Sequence, residues 1–193
     1  MPKINPCLWF DTQAEEAMTF YAGIFPNSKI LNVVRYPEGP MGEPGTVMLV
    51  EAELDGQTFS GLNGGPQFPH TEAVSFVIPC ADQDEVDHYW ERLTDGGQPV
   101  QCGWLKDRFG VSWQVVPVEL HSLLADPKTA QKANAVMLSQ VKLDINEIKA
   151  AVGYWGGGAL RSPLPPSWSG LTRPSMNAGV GRGVHGPSGR ARG

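Results

Sequence analysis

Amide, thiol and indole side chains stand at alternating positions near the start of the sequence. Asn5, Cys7 and Trp9 share one face of an extended chain, whereas Leu8 and Phe10 share the other. If the two apolar residues pack on a helix, the other three line a pocket, where an amide can bind or polarise a small molecule. A solvated outer sheet face is the alternative interpretation of the same alternation.

A second alternating stretch lies near the end of the core. Ser112 and Gln114 share one face, and the other face carries large apolar residues, namely Val111, Trp113 and Val115. Ser75, Trp104 and Asn63 complete the candidate ligand-binding residues, although Trp104 also suits a core and Asn63, before Gly-Gly, also suits a turn. No catalytic residue is assigned.

Nucleophilic and nucleotide-dependent chemistry find little support in the sequence. Cys7 and Cys102 need a nearby base to form thiolates, and no histidine is close to either in sequence. The sequence has no G-x-S-x-G turn. The glycine-rich runs GVGRG and GLNGGP do not connect a strand to a helix, as a nucleotide-binding turn would.

The elements that position these residues begin with a helix over about 12–25. Its apolar spacing is that of a helix packed on a sheet, and Thr12 with Glu15 is typical of a capping box. Strands are predicted at 4–10, 29–36, 46–54 and 57–63. Asp55-Gly56 separates the last two strands and predicts a hairpin.

The same order of elements recurs 69 positions later. A strand at 73–79 precedes a helix on which Val86 and Leu93 correspond to Ala17 and Ile24 of the first helix. Further strands are predicted at 98–106 and 111–116. The repeat predicts an α+β fold of two β-α-β-β-β modules, at 1–66 and 67–118, which enclose a shared pocket.

Helices and a tail follow the two modules. Asp126-Pro127 predicts one helix start, and Asp144 with Glu147 predicts another, so that residues 119–155 form an appended helical segment. Residues 156–193 contain 20 Gly, Pro or Ser residues, five Arg and no acidic residue. This composition predicts a disordered tail, and a frame-shifted extension is an open hypothesis.

Charge and composition limit the partners. The first 155 residues hold all 20 acidic and ten of the fifteen basic residues, and this negative charge argues against a nucleic-acid partner. No apolar run approaches the roughly 20 residues that span a bilayer, and the start does not resemble a signal peptide. Three cysteines without C-x-x-C spacing suit free thiols. We therefore expect a cytoplasmic protein with no membrane partner.

Three stretches, NPCLWFDTQAEEAMTFY, GQTFSGLNGGP and CGWLKDRFGVSWQVVP, resemble the vicinal oxygen chelate superfamily. This is the fold of glyoxalase I, of bleomycin and fosfomycin resistance proteins, and of extradiol dioxygenases. The sequence is most similar to the PhnB-like branch, labelled 3-demethylubiquinone-9 3-methyltransferase-like, over about residues 3–152. The resemblance implies a homodimer in which the sheets of two modules cooperate at each pocket.

The metal-dependent members of this superfamily place His or Glu at one inward position on each of four strands. The matching positions here are Asn5, Ser60 or Gly61, Ala73 and Gln114. None of these is a carboxylate or an imidazole, and amides are weak ligands for Zn, Fe or Ni. We therefore expect no metal and no cofactor.

These observations predict a metal-independent binding protein that holds a small-molecule ligand in a pocket lined by both halves. Two alternatives remain open. One is an enzyme that polarises a small substrate with amide and hydroxyl side chains. The other is methyl transfer of the 3-demethylubiquinone type, as the family label suggests.

Overall fold

The computed structural model describes residues 4–40 and 42–154 of the chain. The strands in these residues are β1 (Cys7–Phe10), β2 (Lys29–Arg35), β3 (Val47–Leu54), β4 (Gln57–Asn63), β5 (Phe76–Cys80), β6 (Gln98–Pro99), β7 (Trp104–Lys106) and β8 (Ser112–Pro117). The helices are α1 (Ala14–Ile24), α2 (Gln83–Thr94), α3 (Val118–Ala125), α4 (Ala130–Ser139) and α5 (Ile145–Val152).

Each half of the core forms a four-stranded mixed sheet with an equivalent strand order. The first sheet is ordered β1-β4-β3-β2 and the second β5-β8-β7-β6. In both, the strand before the helix pairs in parallel with the last strand of the module, so Leu8 lies opposite Gly61 and Ile78 opposite Val115. The predicted α+β fold of two β-α-β-β-β modules is confirmed, whereas the exact boundaries 1–66 and 67–118 stay predictions.

One continuous hydrophobic core joins the two helices to the inner faces of both sheets. The helices bury the residues predicted from their spacing, which are Ala14, Ala17, Met18, Tyr21 and Ile24 on α1, and Val86, Tyr89, Trp90 and Leu93 on α2. Aromatic contacts cross between the halves, such as Phe59 with Phe76 at 5.3 Å between ring centroids. This core covers the helix-packed face of both sheets, so a site on the sheets has to use the faces turned away from the helices, where the alternation of Cys7 and Trp9 predicts it.

The first helix begins later than the predicted capping box. Gln13 is the N-cap of α1 and makes no side-chain cap hydrogen bond, so the prediction for Thr12 and Glu15 was wrong. Instead, the Ala14 backbone N–H donates to Asn63 Oδ1 at 2.8 Å. A side chain from the end of β4 thus satisfies one of the free N–H groups of the helix end.

The strand predicted at 98–106 is two strands, β6 and β7, joined by a turn. Cys102 has φ of 61° and Gly103 has φ of 80°, so the backbone reverses there. A Cβ on Gly103 would lie 2.7 Å from the Val115 carbonyl oxygen, closer than Cβ atoms approach an oxygen. This reversal supplies the third strand after α2 and completes the second module.

The C-terminal helices bury their own small apolar cluster, built around Leu120, Leu123 and Leu143. Asp144 caps α5 by accepting from two backbone N–H groups, as predicted. The helix predicted to start at Pro127 begins at Ala130 instead, because the Asp126 backbone ends α3 and accepts hydrogen bonds from Thr129 and Ala130.

Two further predictions concern the remaining residues and the membrane. The tail at 156–193, for which we predict disorder, lies outside the described residues. Over residues 4–40 and 42–154, none of the helices has the length and apolarity that crossing a bilayer requires.

Candidate functional site

The first open face is the side of the first sheet turned away from α1, defined by Cys7, Trp9, Asn32, Val34, Leu49, Glu51, Ser60 and Leu62. Its side chains alternate with buried neighbours, as Val50 and Ala52 show on either side of Glu51. Strand pairing arranges the eight residues in two adjacent rows across the four strands. The strand register therefore decides which of these side chains are neighbours on the face, and their positions along the chain alone do not reveal it.

One row of the first open face is polar. Cys7 pairs with Ser60, Ser60 with Glu51, and Glu51 with Asn32 across successive strands. Asn32 Nδ2 donates to Glu51 Oε2 at 3.3 Å. Desolvation by burial raises the pKa of the Cys7 thiol, which favours the protonated, weakly nucleophilic form.

The other row is apolar and consists of Trp9, Leu62, Leu49 and Val34. The Trp9 indole is held in place, since its Nε1 donates to the Gly65 carbonyl oxygen at 2.7 Å. Phe68, 65% exposed, meets the indole edge-on at 5.0 Å between centroids. A Cβ on Gly64 would lie 2.2 Å from the indole ring, so the chain after β4 lies directly against it.

The second open face is the corresponding side of the second sheet, defined by Ser75, Val77, Trp104, Lys106, Ser112 and Gln114. Gln114 lies between Val77 and Trp104 in one row, and its Nε2 donates to Ser75 Oγ at 2.9 Å. Ser112 is 1% exposed and its hydroxyl has no hydrogen-bond partner among the described residues. Lys106 pairs with Glu72 at 2.6 Å.

The structure places six of the eight predicted binding residues on the two open faces. Cys7 and Trp9 lie on the first open face, and the other four on the second, namely Ser75, Trp104, Ser112 and Gln114. Asn5 is exposed and precedes β1, which begins only after Pro6, as the proline predicts. Which of these residues bind a ligand stays a prediction.

Asn63 faces the core rather than an open face. Its Oδ1 accepts from Ala14 N, its Nδ2 donates to the Val47 carbonyl oxygen at 3.0 Å, and its own carbonyl oxygen accepts from Tyr36 at 2.6 Å. Both ends of the amide thus have partners within the fold. We therefore leave Asn63 out of the candidate site.

The sequence patterns did not select two residues at or beside the first open face, Glu51 and Phe68. Glu51 lies in the alternating run MLVEAEL, so the same period-two argument that selected Cys7 would have selected it. Phe68 follows β4 in an irregular segment, and no sequence signal indicates that it contacts Trp9.

A buried carboxylate joins the two modules beneath the open faces. Asp107, in the turn between β7 and β8, accepts from Tyr21 Oη of α1 at 2.7 Å and from Trp113 Nε1 at 2.8 Å. Its other oxygen accepts from the backbone N–H groups of Phe109 and Val111. Burial, and then the negative Asp107, raise the pKa of Tyr21 well above its usual value, so Tyr21 stays a neutral donor.

An open cleft of about 820 Å³ lies on the helical side of the molecule. Phe20, Gly23 and Phe109 contribute apolar surface, whereas Arg92 and Arg108 contribute charge. Arg108 lies over the Phe20 ring at 4.7 Å and pairs with a carboxylate of α2's C-cap residue. None of the eight predicted binding residues lines this cleft.

The residues present do not fit the metal that the superfamily resemblance implies. Asn5 and Gln114 offer amides, Ser60 a hydroxyl and Ala73 no donor, and the Gln114 amide is already bonded to Ser75. Among residues 4–40 and 42–154, no group of three or more His, Cys, Asp and Glu side chains is arranged to bind a metal ion.

His70 supplies a prediction on pH dependence. Its Nε2 is buried without a hydrogen-bond partner, and its ring meets Phe10 at 5.3 Å. Desolvation lowers the pKa of His70, opposed in part by the negative Asp107. Because the unfolded chain binds this proton more readily, the stabilisation is complete above about pH 6.5 and is lost as pH falls through the folded pKa.

We therefore expect His70→Gln to reduce the loss of thermal stability between pH 7.5 and pH 5, measured by calorimetry. The matched control is His121→Gln, because His121 lies exposed on α3. Equal pH dependence of the wild type and His70→Gln would contradict this account.

Comparison with known proteins gives a consistent result. The family model described as 3-demethylubiquinone-9 3-methyltransferase matches residues 2–116. The PhnB protein from Bacillus cereus is 34% identical, covering 60% of this chain and 99% of its own, with a TM-score of 0.56. Protein PA1353 from Pseudomonas aeruginosa is 19% identical over 60% of this chain and 96% of its own, with a TM-score of 0.51, and supports the fold alone. No curated protein matches the sequence.

Proposed function

Since the chain belongs to the 3-demethylubiquinone-9 3-methyltransferase family, the PhnB-like branch of the vicinal oxygen chelate superfamily, we propose that it binds a small organic molecule on its open faces. One observation carries the proposal. Both open faces combine a half-buried tryptophan, Trp9 or Trp104, with ordered polar side chains, while the helices cover the opposite faces. Sites for small molecules have this mixture of aromatic surface and a few placed polar groups.

A second copy of the chain completes the pocket in this proposal. Each open face is a shallow, one-sided surface within a single chain, whereas bound ligands are usually enclosed on several sides. Exposed apolar residues lie on and beside the second open face, since Val77 on the face is 47% exposed and Val74, just before it in the chain, is 68% exposed. Burying such residues against a second copy removes apolar surface from water, which supports the homodimer that the superfamily resemblance implies.

Binding in this proposal needs no metal. The donors at the matched strand positions are amides and a hydroxyl, which suit hydrogen bonds to a ligand better than coordination of Zn, Fe or Ni. The family description names methyl transfer, but the glycine-rich run GLNGGP, at the end of β4, leads into an irregular segment rather than a helix. We therefore propose binding rather than methyl transfer as the function.

A thermal-shift screen of the full-length chain tests the proposal, with quinones, phosphonates, aromatic antibiotics and S-adenosylmethionine as probes. A bound ligand at a hundredfold excess over its Kd stabilises the fold by about 2.7 kcal/mol, which raises the Tm by roughly 5–10 °C. We expect Trp9→Ala or Gln114→Ala to abolish most of that rise. Gln57→Ala, at the exposed hairpin, is the control that keeps it.

Three results would count against the proposal. Stabilisation that survives both Trp9→Ala and Gln114→Ala would place the ligand elsewhere. Stabilisation by S-adenosylmethionine would favour methyl transfer. Stoichiometric retention of Zn, Fe, Ni or Mn after dialysis, measured by elemental analysis, would overturn metal independence.

A further inference from the structure

The charge of the first open face indicates what kind of ligand it accepts. Glu51 lies in the middle of the polar row, between Ser60 and Asn32. Its neighbour along the strand on the same face, Glu53, pairs with Lys29 at 3.7 Å. Among the described residues no Lys, Arg or His lies within ion-pair distance of Glu51. Its contact with Asn32 leaves the negative charge uncompensated.

Aromatic surface lies beside this carboxylate. Strand spacing puts the backbone of Glu51 about 10 Å across the sheet and about 7 Å along it from that of Trp9. Leu62 and Leu49 fill the intervening positions of the apolar row, and Phe68 extends the surface beyond Trp9. The two backbones are therefore about 12 Å apart on the diagonal, and a flat three-ring system bridges this distance together with the reach of the Glu51 side chain.

These two features are complementary to one chemical class. We propose that the ligand of the first open face is an amphipathic organic cation, with its flat apolar part along Trp9 and Leu62 and its cationic N–H group bound by Glu51. The inference rests on the proposed function and adds the charge and shape of the ligand. A charge-assisted hydrogen bond to Glu51 supplies selectivity, and the faces of Trp9 and Phe68 attract cations in addition.

The acidic surface of the protein favours the same class. The first 155 residues carry a net charge of about −10, which raises the local concentration of cations and repels anions. On the second open face, Lys106 already has Glu72 as its partner at 2.6 Å. The first open face therefore differs from the second in carrying an uncompensated negative charge.

A matched pair of acridines tests the inference. 9-Aminoacridine is a cation and acridine-9-carboxylate an anion at pH 7.5, and both present the same three rings. We expect the full-length chain to bind 9-aminoacridine at least about tenfold more tightly in calorimetric titration at low salt. Glu51→Gln, which keeps the shape of the side chain, is expected to reduce that preference to about twofold or less.

Glu43→Gln is the control for general electrostatic attraction, because it removes the same charge from an exposed loop outside the face. It is expected to leave the preference within about twofold of the wild type, with an unchanged Tm for both variants. Equal affinity for the two acridines, or a preference that persists in Glu51→Gln, would overturn the inference. Loss of preference in both Glu51→Gln and Glu43→Gln would also overturn it, because the attraction would then be general.

Failure of the inference is distinguishable from failure of the proposed function. If both acridines bind equally and Trp9→Ala weakens both, the open face binds ligands but does not select cations. If neither acridine binds, the cation inference is wrong, and the thermal-shift screen with Trp9→Ala decides the proposed function separately.

Discussion

Asp107→Asn is expected to lower the free energy of unfolding by about 3 kcal/mol, which corresponds to a Tm roughly 6–12 °C lower for a domain of this size. The wild-type carboxylate accepts four hydrogen bonds, two from backbone N–H groups and two from Tyr21 and Trp113. An amide retains one acceptor oxygen and turns its NH2 group towards the Trp113 N–H. Two donors then face each other in a buried site, where neither has access to water.

Urea denaturation of the purified variant, with the midpoint and slope fitted together, measures this loss. The control is Asp95→Asn, since Asp95 pairs with Arg108 at the exposed end of α2 and such pairs contribute less than about 1 kcal/mol. Tyr21→Phe combined with Asp107→Asn should cost less than the two single changes added together, because both act on one network. An additive double mutant would show that Tyr21 and Asp107 stabilise the fold independently. A loss of stability as small as that of Asp95→Asn would show that the hydrogen bonds to Asp107 contribute little to the free energy of unfolding.

Gly97→Ala is expected to destabilise the fold by more than about 3 kcal/mol. Gly97 lies three residues after the end of α2, where the chain passes close to β7. An added Cβ would lie 2.3 Å from the Lys106 carbonyl oxygen and 3.0 Å from the Leu93 carbonyl oxygen. Both neighbours are backbone atoms of regular elements, so relief requires α2 to move away from the sheet rather than a change of rotamer.

The matched control for Gly97→Ala is Gly23→Ala. Gly23 lies in α1, and a Cβ there has no atom within 4 Å. Alanine is the better helix former, so this variant should gain roughly 0.5–1 kcal/mol. Thermal unfolding of both variants under one set of conditions provides the comparison, and similar Tm values for the two would contradict the steric argument.

The parts of the fold that sequence reasoning predicted are those set by local periodicity. The spacing of Val86 and Leu93 against Ala17 and Ile24 identified both helices, their buried faces and the repeat. Asp55-Gly56 located the hairpin between β3 and β4 to the residue, because the turn demands those residue types. Such signals lie within a few residues of each other and need no knowledge of tertiary contacts.

The errors arose where distant residues decide the local structure. The start of α1 depends on Asn63, 49 residues beyond Ala14, which no capping pattern near Thr12 can reveal. The break between β6 and β7 depends on the close approach of Gly103 to Val115.

The candidate site was predictable in part for the same reason. Alternation assigned Cys7 and Trp9 to one face, and would have assigned Glu51 had β3 been analysed in the same way. The rows, in which Glu51 lies beside Ser60 and Asn32, depend on strand register. Register is fixed by the assembled sheet and by the bulges in β2, which the sequence of one strand does not specify.

The hydrogen bond from Ala14 to Asn63 has a consequence for local unfolding of the first module. Terminal turns of helices ordinarily fray on their own, since their first N–H groups lack partners within the helix. Here the first N–H of α1 is tied to the end of β4, which in turn lies beside β1. The beginning of the helix and the edge of the sheet thus belong to a single cooperative unit, and releasing one releases the other.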